Sequence, residues 1–232
     1  MNNLIKFFRG VRIQAAHVDW EQLHWEHLDK TKLLVPFRLF FHPVDTFSDI
    51  KYEGRGSLAL ANLLAFLYFL EQMAAFTMTG YLFNPNDAAQ FNLLVIAAQT
   101  VVVLLLWTVC NWSSCTLLEG EGTFRQIWIA TCYALMPLVL GEPVLILLSQ
   151  IMSLTEGMFL TAATTVLQGW SLLLLFLGMM VVHQFTVART VGSVIITVVL
   201  IAAVAFLALL SFSIFQQLTA FIATIATELA GR

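Results

Sequence analysis

Charge is scarce in this sequence. Asp, Glu, Lys and Arg make up 11% of its 232 residues, where a soluble domain carries about a quarter. An ordinary soluble enzyme is excluded. The scarcity is uneven: residues 1–56 hold 8 of the 11 basic and 7 of the 14 acidic side chains, leaving three basic and seven acidic residues for 57–232. A net charge of -3 offers no basic field for nucleic acid, which excludes such a partner. Cysteine is scarce too. Cys110, Cys115 and Cys132 lie in or beside apolar runs with no CxxC pair, so they form no zinc framework and read as small core residues. The motifs HExxH, GxSxG, GxGxxG and GxxxxGK[ST] are all missing, so no catalytic constellation, cofactor or metal is expected. Asp19, Glu21, Glu26 and Asp29 interrupt any apolar core within the first 30 residues. The N-terminus therefore reads as a retained segment and not as a signal peptide.

What fills the chain is hydrophobic sequence, 59% of all residues. A bilayer core of about 30 Å needs roughly 20 apolar helical residues, and five stretches meet that length at about 57–82, 90–117, 124–152, 157–185 and 190–220. Their continuous Leu, Val and Ala pattern excludes strand alternation. Asn84-Pro85-Asn86-Asp87 and Glu119-Gly120-Glu121-Gly122 separate the first three stretches as turns. Thr123 is placed to cap the helix that follows. Pro137 and Pro143, around Gly141-Glu142, predict that the third stretch is kinked or split.

Charge placement sets the orientation. Five alternating helices starting from a cytoplasmic N-terminus put residues 1–56, 118–125 and 186–190 inside, and these hold ten of the eleven basic residues. The outside loops, 83–89 and 153–156, hold none, as the positive-inside rule requires. The C-terminus with Arg232 then falls on the extracytoplasmic side. The expected fold is an all-α integral membrane protein with two parts: a cytoplasmic, interfacial amphipathic segment (1–56) and a five-helix transmembrane domain (57–232). Within the first part, residues 7–34 mix Trp20 and Trp25 with charged side chains and are too polar to span. Pro36 is expected to end that helix, and Phe37–Phe41 to form an aromatic wedge at the headgroup boundary.

Two intramembrane carboxylates, Glu71 and Glu142, are the candidate polar site, because charge at bilayer depth needs a partner or water. Structural hydrogen bonding to glutamines such as Gln72 or Gln168 and an ion, proton or substrate path are the two readings of that site. His17, Glu21 and His24 share a helical face, which reads as a solvated amphipathic surface in preference to a metal site. Asn111, Trp112, Ser113 and Ser114, with His183 and Gln184, fall in one cytoplasmic layer, as a polar vestibule or an interfacial belt. Small residues, Gly169, Ser171 and Gly178 in the fourth stretch and Gly192, Ser193, Ala202, Ala203 and Ala205 in the fifth, suit close helix contacts within the bundle or with partners.

Phe41-His42-Pro43-Val44-Asp45-Thr46-Phe47, Glu119 to Phe124 and Tyr133-Ala134-Leu135-Met136-Pro137 together resemble the bacterial branch of the Yip (Ypt-interacting protein) domain family over about residues 37–230. The resemblance implies a cytoplasmic N-terminus, five membrane helices and no enzymatic activity. Cys132 stands where relatives have the glycine of Gly-Tyr-x-x-x-Pro. His42 to Phe47 stand where eukaryotic relatives carry Asp-Leu-Tyr-Gly-Pro, so their Rab-type GTPase binding does not carry over. The bacterial branch implies an accessory membrane protein in the cell membrane that accompanies a carbohydrate ABC importer. The expected function is thus a non-catalytic scaffold or accessory subunit binding other membrane proteins, ABC permease and ATPase subunits among them. Candidate cytoplasmic docking residues are Trp20, Trp25, His42, Asp45, Glu119, Glu121 and Arg125. The alternative is a small transporter or channel with a polar path at Glu71 and Glu142.

Overall fold

The structure is a computed structural model that describes residues 30–230. Trp20, Trp25 and the His17, Glu21 and His24 face lie outside the described residues. Eight α-helices follow in order: α1 Lys30–Phe41, α2 Pro43–Tyr52, α3 Leu58–Met78, α4 Leu93–Leu117, α5 Phe124–Ala134, α6 Met136–Ser149, α7 Gly157–His183 and α8 Val187–Ala230. Taken together, α5 and α6 make one span, giving five helices long and apolar enough to cross a membrane. The all-α, five-span architecture expected from composition is the one observed.

Side-chain caps define the helix starts. Ser57 Oγ accepts from Leu60 N at 3.4 Å, and Asn92 Oδ1 accepts from Leu94 N at 3.0 Å and Val95 N at 3.3 Å. Thr123 closes a capping box with Gln126, as its position predicts, with bonds of 3.3 and 3.1 Å in the two directions. These side chains satisfy helix-end donors that would otherwise be orphaned.

The third span is split at Leu135, next to Pro137, and α6 then runs unbroken through Gly141-Glu142-Pro143. Pro137 has no N–H, and its ring cannot follow the carbonyl four residues earlier in an unbroken helix. The carbonyl of Ala134 loses its usual partner, because Leu138 N turns to Leu135 O at 3.0 Å. Ser171 Oγ on α7 donates to that carbonyl at 2.7 Å, so the break is sealed by a neighbouring helix.

Pro36 does not end a helix as expected: α1 continues through it to Phe41. The loss of one backbone bond is outweighed by burial on the far side of the proline, where Leu39 is fully enclosed. After the His42 turn, α2 packs along α7, and Phe47 fills a notch at Gly178. Phe37 and Phe41 remain exposed.

The core gathers where α5 meets α3 and α7, around Tyr133, Ile127, Leu174 and Met179, with Phe47 and Leu39 added from α2 and α1. Tyr133 Oη accepts from Ser57 N at 3.2 Å and so pins the start of α3. α8 packs chiefly on α4. Its inner face ends early: Thr190, Ser193 and Thr197 are buried, and every residue from Ala202 to Glu228 is exposed.

Candidate functional site

Glu71 and Glu142 are brought together. Both line one cavity of about 580 Å³ enclosed by α3, α4, α5, α6 and α7. Glu71, fourteenth of the 21 residues of α3, is 5% exposed and accepts a hydrogen bond from Gln72 Nε2 at 3.2 Å. Glu142 is half-buried on α6. Tyr68, Gln72, Trp107, Thr131, Thr164, Gln168 and Ser171 complete the polar part of the wall, with leucines among them, and no Lys, Arg or His lines it among the described residues.

Two wall residues have unmet hydrogen-bonding capacity. Trp107 Nε1 and Thr131 Oγ1 are sealed from solvent and have no partner among the described residues. A buried polar group without a partner costs about 1–3 kcal/mol. A proline break in α5–α6 and a glutamate on α3 are visible in sequence. Thr131, Trp107 and Tyr68 are not, because a lone polar residue in an apolar run gives no sign of which helix face it takes.

A second polar assembly lies at the opposite, 118–125 end of the bundle. His183 Nε2 and Asn111 Oδ1 are 2.9 Å apart, and His183 Nδ1 and Cys115 Sγ are 2.7 Å apart. Asn111 Nδ2 donates to Thr197 Oγ1 at 3.4 Å, and Ser114 Oγ lies 2.7 Å from Thr197 Oγ1 and 3.3 Å from Ser193 Oγ. All six side chains are buried. Asn111, Ser114 and His183 thus form a closed clasp joining α4, α7 and α8, neither a vestibule nor a belt. Gly120 and Gly122 press the 118–123 loop onto it: a Cβ on Gly120 would come 2.7 Å from Phe185 Cζ, and one on Gly122 would come 2.9 Å from Val182 Cγ1.

The expected docking residues sit outside both assemblies. His42 and Asp45 at the start of α2, Glu119 and Glu121 in the loop, and Arg125 on α5 are all exposed. Glu121 reaches Lys51 Nζ at 3.3 Å, which ties the loop to α2. Glu119 takes a left-handed φ of 57°, a conformation that favours glycine. Among the described residues no three His, Cys, Asp or Glu side chains gather to hold a metal ion.

Tyr133 and Pro137 thus organise the core and the break, and Glu119 to Phe124 closes the clasp, which are the stretches that carried the family resemblance. The Yip1 domain matches residues 37–225. The chain belongs to the Yip1 domain family. Yip1 domain proteins are a membrane protein family, in keeping with the five spans. No curated protein and no solved structure matches this Yip1 domain chain.

Proposed function

We propose that this Yip1 domain protein is a non-catalytic scaffold or accessory subunit of a bacterial cell membrane, holding another integral membrane protein through the distal part of α8. The observation that supports the reading is the length of α8. Its 44 residues extend about 66 Å at 1.5 Å per residue, about twice the hydrocarbon thickness. Among the described residues no other helix covers it from Ala202 onward, and Phe212, Phe215 and Phe221 are 60%, 63% and 64% exposed. Lipid can cover about half of such a helix. The remainder, apolar and beyond the bilayer, calls for a protein surface.

ABC permease and ATPase subunits of a carbohydrate importer are the proposed partners, on the family resemblance. Exposed Glu119, Glu121 and Arg125 supply a polar face at the 118–125 end of the bundle, and His42 and Asp45 on α2, with Trp20 and Trp25 of the sequence, are the further proposed docking residues. In the proposed orientation the 118–125 end is cytoplasmic, where an ATPase docks.

Affinity purification of the tagged full chain from its native membrane in mild detergent, followed by mass spectrometry, tests the reading. Permease and ATPase subunits are expected in stoichiometric amounts, and lost when residues 208–232 are deleted. Recovery of the full chain alone would refute it. The cavity between Glu71 and Glu142 favours a second reading, a small transporter, in which the carboxylates line a path for substrate.

A further inference from the structure

We propose that Cys115 is a peroxide-reactive thiol, a modification site at the 118–125 end of the bundle in which His183 is the base and Asn111 orients its ring. Three side chains stand in line: Cys115 Sγ lies 2.7 Å from His183 Nδ1, and His183 Nε2 lies 2.9 Å from Asn111 Oδ1. The hydrogen bonds fix where the protons sit. Asn111 Nδ2 donates to Thr197 Oγ1, so Asn111 offers its oxygen to the ring and His183 Nε2 carries the ring hydrogen. Nδ1 is then bare and accepts from the thiol. A nucleophile, a base in contact with it and a third group holding the base is the arrangement that activates a thiol. A buried thiol in apolar surroundings without such a base is inert. Cys110 and Cys132 are buried too, and neither is bonded by an imidazole among the described residues.

The cover over the sulfur is thin. Gly120 and Gly122 lay bare backbone on the pair: a Cβ on Gly120 would run into Cys115 Sγ, and one on Gly122 into the His183 ring. Glu119 and Glu121 on either side of Gly120 are exposed, and a loop between two spans meets water whichever way the protein is inserted. Two features favour opening of this loop. Its link to α2 is the pair of Glu121 with Lys51 at 3.3 Å, with the glutamate 62% exposed, and such a pair contributes little in water. Glu119 is held at a left-handed φ of 57°, a strain that opening relieves. Hydrogen peroxide, small and uncharged, then reaches the sulfur. The thiol proton passes to His183 Nδ1, the thiolate attacks one peroxide oxygen, the O–O bond breaks as an S–O bond forms, and the departing hydroxide takes the proton from the imidazolium and leaves as water. Sulfur is oxidised to a sulfenic acid and the peroxide is reduced. The added oxygen has no room beneath Gly120, so the oxidised thiol keeps the loop from closing until a thiol reductant restores it. This is a stoichiometric modification without turnover, and it does not rest on the scaffold reading.

The test treats the full chain, reduced and held in phosphatidylcholine nanodiscs, with hydrogen peroxide in the presence of dimedone, which traps sulfenic acids, and locates the adducts by peptide mass spectrometry. Labelling is expected at Cys115, at a rate at least about tenfold above that at Cys110 and Cys132. His183→Gln should slow labelling of Cys115 at least about tenfold, and Glu121→Gln, which frees the loop from Lys51, should speed it severalfold. If His183→Gln fails to assemble, Glu121→Gln decides alone: faster labelling of Cys115 upholds the proposal and the parent's rate refutes it. The proposal is also overturned by the absence of an adduct at Cys115, by equal labelling of the three cysteines, or by an assembled His183→Gln variant that is labelled as fast as the parent.

Discussion

Glycines with the same lack of a side chain face opposite surroundings. A Cβ on Gly80 would come 2.7 Å from the carbonyl carbon of Ser149 and 3.2 Å from Gln150 N. Backbone cannot swing aside, so the loop after α3 and the end of α6 would have to part, breaking the 2.7 Å bond from Gly80 N to Ser149 Oγ. Gly80→Ala is predicted to destabilise the bundle by about 1–3 kcal/mol, read as a lower thermal unfolding midpoint in detergent. Gly169 and Gly192 have nothing within 4 Å of a Cβ, and Gly169→Ala or Gly192→Ala should hold or raise that midpoint, since alanine gains about 0.5–1 kcal/mol in a helix. Sequence alone could not separate these positions. Gly169, Gly178 and Gly192 all read as close-contact residues, yet of the three only Gly178 receives a neighbour, Phe47. The partner lies far off in the chain, and helical spacing does not report which face a distant aromatic will find.

The helices divide into those fixed along their length and one fixed at its start. α5 and α7 are held by Tyr133, Ile127, Leu174 and Met179, all enclosed. α8 is fixed by Thr190, Ser193 and Thr197, spaced three and four residues apart on one face and buried. Of that stripe the sequence marked Ser193 alone, as a close-contact residue, and of its counterpart Thr108, Asn111 and Cys115 on α4 it marked Asn111 as part of a polar layer and Cys115 as a core residue, with nothing in the spacing to match one to the other. Since no buried side chain follows Thr197 among the described side chains of α8, deleting residues 208–232 is predicted to shift the thermal midpoint of the isolated protein by no more than a few degrees, by scanning fluorimetry in detergent. A large drop would mean that the distal helix supports its own bundle. The break in the third span was readable from its prolines. Its location at Pro137 was not, because it depends on Ser171 of α7 being there to bond the carbonyl of Ala134. Pro36 misled for the reverse reason: burial of Leu39 keeps the helix going past a residue whose local preference is to stop it.

At the scale of the whole molecule, the span count followed from charge placement, and the five-helix bundle agrees with it. The orientation proposed from the same charges is open to direct measurement. In intact cells, a membrane-impermeant maleimide is expected to label Asp87→Cys and to spare Glu121→Cys; the opposite pattern would invert the protein. The cavity was half legible: the sequence marked Glu71 and Glu142 as costly, but nothing in its spacing shows that α3 and α6 pack against each other. The clasp has a consequence for biogenesis. α8 follows the other described helices in the chain, and the bundle behind it can assemble as the chain emerges. Once Ser193 and Thr197 reach Ser114 and Asn111, the distal half of α8 is displayed from a finished bundle and from no earlier intermediate. In the proposed scaffold role a partner joins after the clasp has closed, and a chain cut before Ser193 offers it no distal α8 to hold.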